Sequence, residues 1–331
     1  MNPPRCTDLD YINFLIAAQK VFTCTEAARC QPETPTTPAH DAFTRLLKRQ
    51  PLDTEALWRD AQTIVDMEKG ILVLDDTTLD KPYAKNMDLV TYHWSGKHHR
   101  VVKGINLLTL LWSDGEAHIP CDFRVYDKPM GGSTKNESFR EMLVEAMERG
   151  FNPDWVLFDS WYSSLGNLKL LRSLGWRWLT WLKANRLVDP DGKGNVQVRD
   201  LEIPVEGMVV HLKGYGMVKV FRVFSKDGEA EHWATSDLEM DVEERSALGL
   251  RGWAVEEYHR GIKQCCGVEK AQVRGAVAQL NHICCSIRAF IRLEVNRLKN
   301  GVSWYEAKLS IVRDAIRTYL TNPTFTLNPT A

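Results

Sequence analysis

Two short apolar runs end in acids: "ILVLDD" closes on Asp75 and Asp76, and "VLFD" closes on Asp159. Chemistry in open α/β sheets collects outside the carboxyl ends of strands, where these acids fall. A third acid, Glu256, stands in "WAVEEYHRGIKQ" (Trp253–Gln264). At about 100° per residue, Trp253, Glu256, Arg260 and Lys263 share one stripe of a helix, and Val255, Tyr258, Ile262 and Cys266 the opposite one. Three carboxylates in one place repel and raise one another's pKa, and a divalent cation removes that cost. Hard oxygen donors with open positions suit Mg²⁺ or Mn²⁺. Two such ions, about 3.5–4 Å apart, serve in-line phosphoryl transfer. Singly, each acid has a structural explanation as a cap, a turn former or a solvated i, i+4 partner; their combination and order favour chemistry. Asp75 and Asp76 are alternatives, because neighbours on a strand point to opposite faces.

The elements that must position these groups can be read from the pattern. "DLDYINFLIAAQKVF", "TCTEAARC" (with Thr25 as N-cap), "HDAFTRLLKRQ" and "DTEALWRDAQTIVDM" (capped at Asp53) predict helices around a Pro/Thr-rich linker. A helical N-terminal unit over residues 1–66 follows. "GILVLDDTTLDK" predicts a strand, and "VVKGINLLTLLWSDGEAHIPCDFRVYD" two strands turning at Asp114–Gly115. Helix "KNESFREMLVEAMERG", strand "DWVLFDSWYS", helix "LGNLKLLRSLG" and strand "WRWLTWLK" complete an α/β order with a mixed sheet. From about 185 to 240 the chain turns β-rich, as an antiparallel insertion, and helices then run to the end, with a C-terminal helix and tail over 301–331.

Composition is that of a globular protein, 44% hydrophobic and 26% charged. No apolar run reaches membrane-span length, and "MNPPRCTDLDY" lacks signal-peptide character, so a cytoplasmic location without membrane association is expected. The eight cysteines show no C-x-x-C spacing and read as buried free thiols rather than zinc ligands or disulfides. The net charge is −1, but Arg245–Lys299 carries ten cations against four anions, a local excess of six that suits a polyanion.

The order "DDTT" after a strand, "FDSWYS" after a second, a β insertion and then "WAVEEYHRGIKQ" resembles the DDE transposases of bacterial insertion sequences, in the branch with a Y-R-E-K signature. The resemblance spans roughly residues 67–298. It implies a ribonuclease-H-like, retroviral-integrase-like catalytic domain over 67–300, with the N-terminal helices as the DNA-binding region. By the same resemblance, Asp76 (runner-up Asp75), Asp159 and Glu256 are the catalytic residues and hold two Mg²⁺ or Mn²⁺ ions. The signature Lys falls on Lys263, and the family's Trp three before the Glu on Trp253. The signature's Tyr and Arg positions are Gly249 and Gly252 here, with Arg251 the candidate to replace the Arg. Trp233 is the candidate for the insertion's base-stacking Trp.

The function so implied is cut-and-paste transposition: binding of terminal inverted repeats, metal-dependent strand cleavage and strand transfer into target DNA. A homodimer would pair the two ends, and the protein would be nucleoid-associated when bound. Arg260, Lys263 and Arg251 would hold phosphates. Lys97, Arg100 and Lys103 in "SGKHHRVVKG" form a candidate backbone-contacting hairpin, with a charged, protective strand edge as the alternative. The rival functions are a metal-dependent nuclease of the same fold and a domesticated DNA-binding protein without catalysis.

Overall fold

The structure, a computed structural model, describes residues 5–95, 99–127, 132–225 and 228–325. The first helices are α1 (Asp8–Ala17), α2 (Cys24–Arg29), α3 (Ala42–Arg49) and α4 (Thr54–Ala61). Strands β1 (Ile71–Asp80), β2 (Thr91–Ser95), β3 (Arg100–Ser113) and β4 (His118–Val125) precede helix α5 (Lys135–Glu148). Strand β5 (Trp155–Phe158), helix α6 (Leu165–Leu174) and strand β6 (Trp178–Leu182) come next. The insertion supplies β7 (Leu187–Asp189), β8 (Val196–Gln197), β9 (Met208–Leu212), β10 (Gly216–Phe224) and β11 (Ala230–Thr235). Helices α7 (Val242–Gly252), α8 (Ala254–Cys265), α9 (Ala276–Asn300) and α10 (Trp304–Thr321) end the described chain.

The chain forms two compact units. One is helical: the residues up to Asp53, Lys85–Asp88, and those from Arg260 on. Its centre is α9, where Asn281 donates to the carbonyls of Leu47 and Gln50 at 2.9 and 2.7 Å, and Tyr11 Oη meets His282 Nδ1 at 2.9 Å. The N-cap of α2 is Thr23, whose hydroxyl accepts from the Glu26 N–H at 3.1 Å, not the expected Thr25. Thr23-x-x-Glu26 places an acid at N3, the favoured arrangement at a helix start.

The second unit, Thr54–Ala84 and Leu89–His259, contains every described strand in one mixed sheet of eleven. The order is β2-β3-β1-β5-β6-β11-β10-β9-β7-β8, with β4 also paired to β3. β1, β5 and β6 run parallel; β5 and the first half of β1 carry continuous buried apolar runs, as strands covered on both faces require, while β6 leaves Trp181 exposed. β3 pairs antiparallel with β1, and β3 and β4 turn at the expected Asp114–Gly115. Gly115 has φ 104° there, a conformation that suits glycine. β11 pairs antiparallel with β6, so the β-rich insertion extends the same sheet. The expected α/β class with mixed sheet, β insertion and helices at both ends is what folds.

Candidate active site

The sheet register decides which acids meet. β1 and β5 pair Leu74 with Phe158, and one residue further on stand Asp75 and Asp159. Side chains level with each other on neighbouring strands share a face, so these two carboxylates lie side by side. Level with Asp75 on β3 is Thr109, whose hydroxyl lies 3.5 Å from the Tyr258 hydroxyl on α8. Helix α8 therefore covers this face and brings Glu256 to it. Ligand atoms of Asp75, Glu256 and His259 lie within 4.8 Å of one another.

Asp76 points the other way. Its carboxylate accepts from Lys135 Nζ at 2.8 Å, from Asn106 Nδ2 at 2.6 Å, and from the Tyr162 hydroxyl. Lys135 opens α5, which packs on this second face through Phe139 against Phe158 and Tyr162. The two adjacent acids are thus in opposite electrostatic states. For Asp75, burial and then the charges of Asp76, Glu256 and Asp159 push the carboxyl well above its ordinary range. For Asp76, burial raises, but the Lys135 charge and three hydrogen bonds outweigh it and hold the carboxyl low. Tyr162, pushed up by burial and by the charge of Asp76, stays a phenol and so a donor.

Asp159 has a structural task as well: its carboxylate accepts from the Trp161 N–H at 3.3 Å, capping the 3₁₀ turn Ser160–Tyr162. It lies close enough to Asp75 to raise it, though outside the tight group of three. The donor set of that group, two carboxylates and an imidazole, fits a divalent cation, whose charge would relieve the repulsion that raises Asp75. His259 was not singled out from the sequence. The signal was present: Glu256-x-x-His259 is an i, i+3 pair, which projects both side chains toward one site.

The two stripes of "WAVEEYHRGIKQ" are as expected, with Val255, Tyr258, Ile262 and Cys266 buried and Trp253, Glu256 and Arg260 exposed. Trp253, 58% exposed, caps α7 where α7 and α8 meet. Arg260 and Lys263 belong to the helical unit, where Lys263 pairs with Glu269 at 3.4 Å. Arg251 stands apart from the acids. It lies beside the β3–β4 turn, where a Cβ on Gly115 would be 3.7 Å from its Nε. Ser113, just before that turn, is level with Ile71, four residues or about 13 Å from Asp75 along β1. The glycines in the signature positions have a packing reason. A Cβ on Gly252 would sit 3.0 Å from Leu157 Cδ2, and one on Gly249 3.4 Å from the Trp233 ring. Helix α7 thus runs close to the sheet at these two positions, and a side chain at Gly252 would have to displace Leu157.

Trp233 is level with Trp181 of β6, the two rings 4.5 Å apart. Trp181 stands one residue past Thr180, which is level with Phe158, so it neighbours Asp159. The row Thr109, Asp75, Asp159, Trp181, Trp233 crosses five strands on one face. Arg100 is exposed at the start of β3, and Lys103 donates to the Ala84 carbonyl. Lys97 lies outside the described residues. All eight cysteines are free thiols, and Cys30 alone is exposed.

Residues 27–199, more than half of the chain, match the family described as DDE superfamily endonuclease. The chain belongs to that family. The matched span of this DDE endonuclease holds Asp75, Asp76 and Asp159 and ends before Glu256. Among solved structures, the chain is similar to the piggyBac transposase synaptic complex with hairpin DNA, at TM-score 0.55 and 11% identity, over 98% of this chain and 74% of that one. It also aligns with the Drosophila P element transposase strand transfer complex, at TM-score 0.29 and 10% identity, over 58% of this chain and 47% of that one. No curated protein matches it. The likeness shows that this DDE endonuclease shares its fold with the piggyBac protein. No helix among the described residues is long and apolar enough to cross a membrane.

Proposed function

We propose that the chain is the transposase of an insertion sequence, in the Y-R-E-K branch, which cleaves and rejoins DNA strands with Asp75, Asp159 and Glu256 as its catalytic carboxylates. The observation that carries this reading is the placement of Asp75 and Asp159 side by side, with Glu256 brought over them by α8. In this reading Asp75 takes the place first given to Asp76, whose carboxylate already serves Lys135, Asn106 and Tyr162. Divalent cations, when bound, would neutralise the phosphodiester charge and make water a better nucleophile.

The chain's own residues do the rest. Asp75, Glu256 and His259 are the direct ligand candidates, and Asp159 supplies the adjoining carboxylate. Lys135 and Tyr162 fix Asp76 on the far face, which stiffens β1 beneath the site. Trp181 and Trp233 offer an aromatic surface next to Asp159, suited to an unstacked base. The N-terminal helices would recognise the element's ends, with two copies joining them, as the family resemblance suggests.

The test uses the full chain with DNA carrying the sequences that flank its gene, in Mg²⁺ or Mn²⁺. Wild type should release 3′-hydroxyl ends and join them to target DNA, while Asp159→Ala should bind ends and cut nothing. Cutting without joined product would leave a nuclease, and cutting by Asp159→Ala would overturn the site.

A further inference from the structure

Past the aromatic row, the chain leaves β6 at Leu182 and makes a tight turn, the Arg186 N–H donating to the Lys183 carbonyl at 2.9 Å. Two more backbone bonds pin that turn: Val198 N–H to the Arg186 carbonyl at 2.8 Å and Arg199 N–H to the Ala184 carbonyl at 3.1 Å. Lys213, in the β9–β10 turn, is tied to the Leu187 carbonyl through its own N–H at 3.2 Å. These constraints place Lys183, Arg186 and Lys213 around one cavity of about 300 Å³, completed by Asn185 and Leu187. No carboxylate lines it.

Arg186 is the unusual member. Its Nη2 is buried without a hydrogen-bond partner. Burial lowers its pKa with no acid opposing. An unpaired, partly desolvated guanidinium costs stability unless an anion completes it. The planar fork of Arg matches the two free oxygens of a phosphate. Lys183 also lies over the ring of Trp161, 4.9 Å from its centroid, and Trp161 is 55% exposed, two residues after Asp159.

The geometry points to this pocket as a phosphate-binding site for the DNA backbone, formed by Arg186, Lys183 and Lys213. Trp161 bounds the pocket as an exposed ring within reach of both Lys183, at 4.9 Å, and Lys135, at 5.8 Å. Lys183 follows the end of β6, two residues beyond Trp181, about 7 Å past the acids' level. A strand with one phosphate at Asp75 and Asp159 would therefore place a neighbouring phosphate here. The inference rests on the DNA reading above, but concerns binding rather than cleavage.

The experiment measures binding of a mixed-sequence DNA oligonucleotide to the full chain by fluorescence anisotropy, in chelator, across a salt series. Arg186→Gln and Lys213→Gln should each weaken binding about threefold to tenfold at 50 mM salt and lower the slope of log K against log salt by about one. Lys193→Gln, whose lysine pairs with Asp191 in the same insertion, should leave the slope unchanged. Thermal unfolding of each variant checks that it is folded. An unchanged slope in both Arg186→Gln and Lys213→Gln overturns the pocket, even if the wild type binds DNA and cleaves it. Stabilisation of the wild type by inorganic phosphate, lost in Arg186→Gln while the DNA slope is unchanged, overturns the strand assignment in favour of a free phosphate ligand. Failure of the wild type to bind DNA overturns the DNA reading and the pocket together.

Discussion

Asp75 and Asp76 are neighbours in sequence, yet replacing each by Asn should shift stability in opposite directions. At one strand spacing and an effective dielectric of 20, a carboxylate pair such as Asp75 and Asp159 repels by about 3 kcal/mol. Residual solvent at a half-buried site reduces that to about 1–3 kcal/mol. Asp75→Asn removes the repulsion and should raise the unfolding temperature in chelator by about 1–4 °C. The sign with pH follows from the raised carboxyl. Above pH 3.8 the unfolded chain ionises at Asp75 while the folded one resists, so the wild type loses stability as the pH rises toward the folded pKa. The Asn variant's advantage is thus absent below about pH 4 and grows as the pH rises toward the folded pKa. Asp76→Asn instead strands Lys135 at a mostly buried position and should cost about 1–3 kcal/mol. Differential scanning fluorimetry with and without Mn²⁺ reads both effects. Wild type and Asp76→Asn should be stabilised by Mn²⁺, by about 2.7 kcal/mol at a hundredfold excess over Kd, and Asp75→Asn far less. If Asp75→Asn keeps the Mn²⁺ response and Asp76→Asn loses it, the face assignment built on the register is refuted.

Three further outcomes test the packing. Asp122 is buried, with one carboxylate oxygen unpartnered, and burial lifts its carboxyl to about 6 although Arg124 lies 2.5 Å away. Arg124 gains from the pair whereas Asp122 loses more to burial than it recovers. The wild type should therefore lose stability as pH rises from about 4 to 6, and Asp122→Asn should flatten that part of a urea-unfolding pH profile by about 3 kcal/mol. Gly252→Arg should destabilise by about 1–3 kcal/mol in urea titrations, because atoms beyond the Cβ must be fitted where the Cβ alone already meets Leu157, whereas Gly252→Ala should be near neutral, helix propensity offsetting a contact that Leu157 can relax. A thiol reagent should modify Cys30 on the native protein, and the other seven cysteines only on unfolding, as mass spectrometry would report.

Much of the site was legible because its signals are local. Asp159 stood out as a charge after four buried apolar residues, and the two stripes of α8 followed from helical period alone. The choice between Asp75 and Asp76 was not local. Both end the same apolar run, and only the pairing of β1 with β5, together with the face that α8 covers, separates them. Arg251 was placed by its nearness in sequence to a signature position, but α7 directs it to the β3–β4 turn. Lys213 is remote in sequence from Lys183 and Arg186, and only the turn after β6 and its tie to the β9–β10 turn gather the three. His259 is the instructive omission, since its i, i+3 relation to Glu256 was visible without any tertiary information.

Because β11 pairs directly with β6, the sheet acts as a ruler. Trp233 stands three strand spacings from Asp75, about 14 Å, and hydrogen-bond ladders rather than loops set that distance. Strands β7 to β9 lie outward of this interval. Their turns can lengthen, shorten or change sequence without moving the aromatic pair relative to the acids. The insertion can thus diversify at its rim while the interval beside Asp159 stays constant.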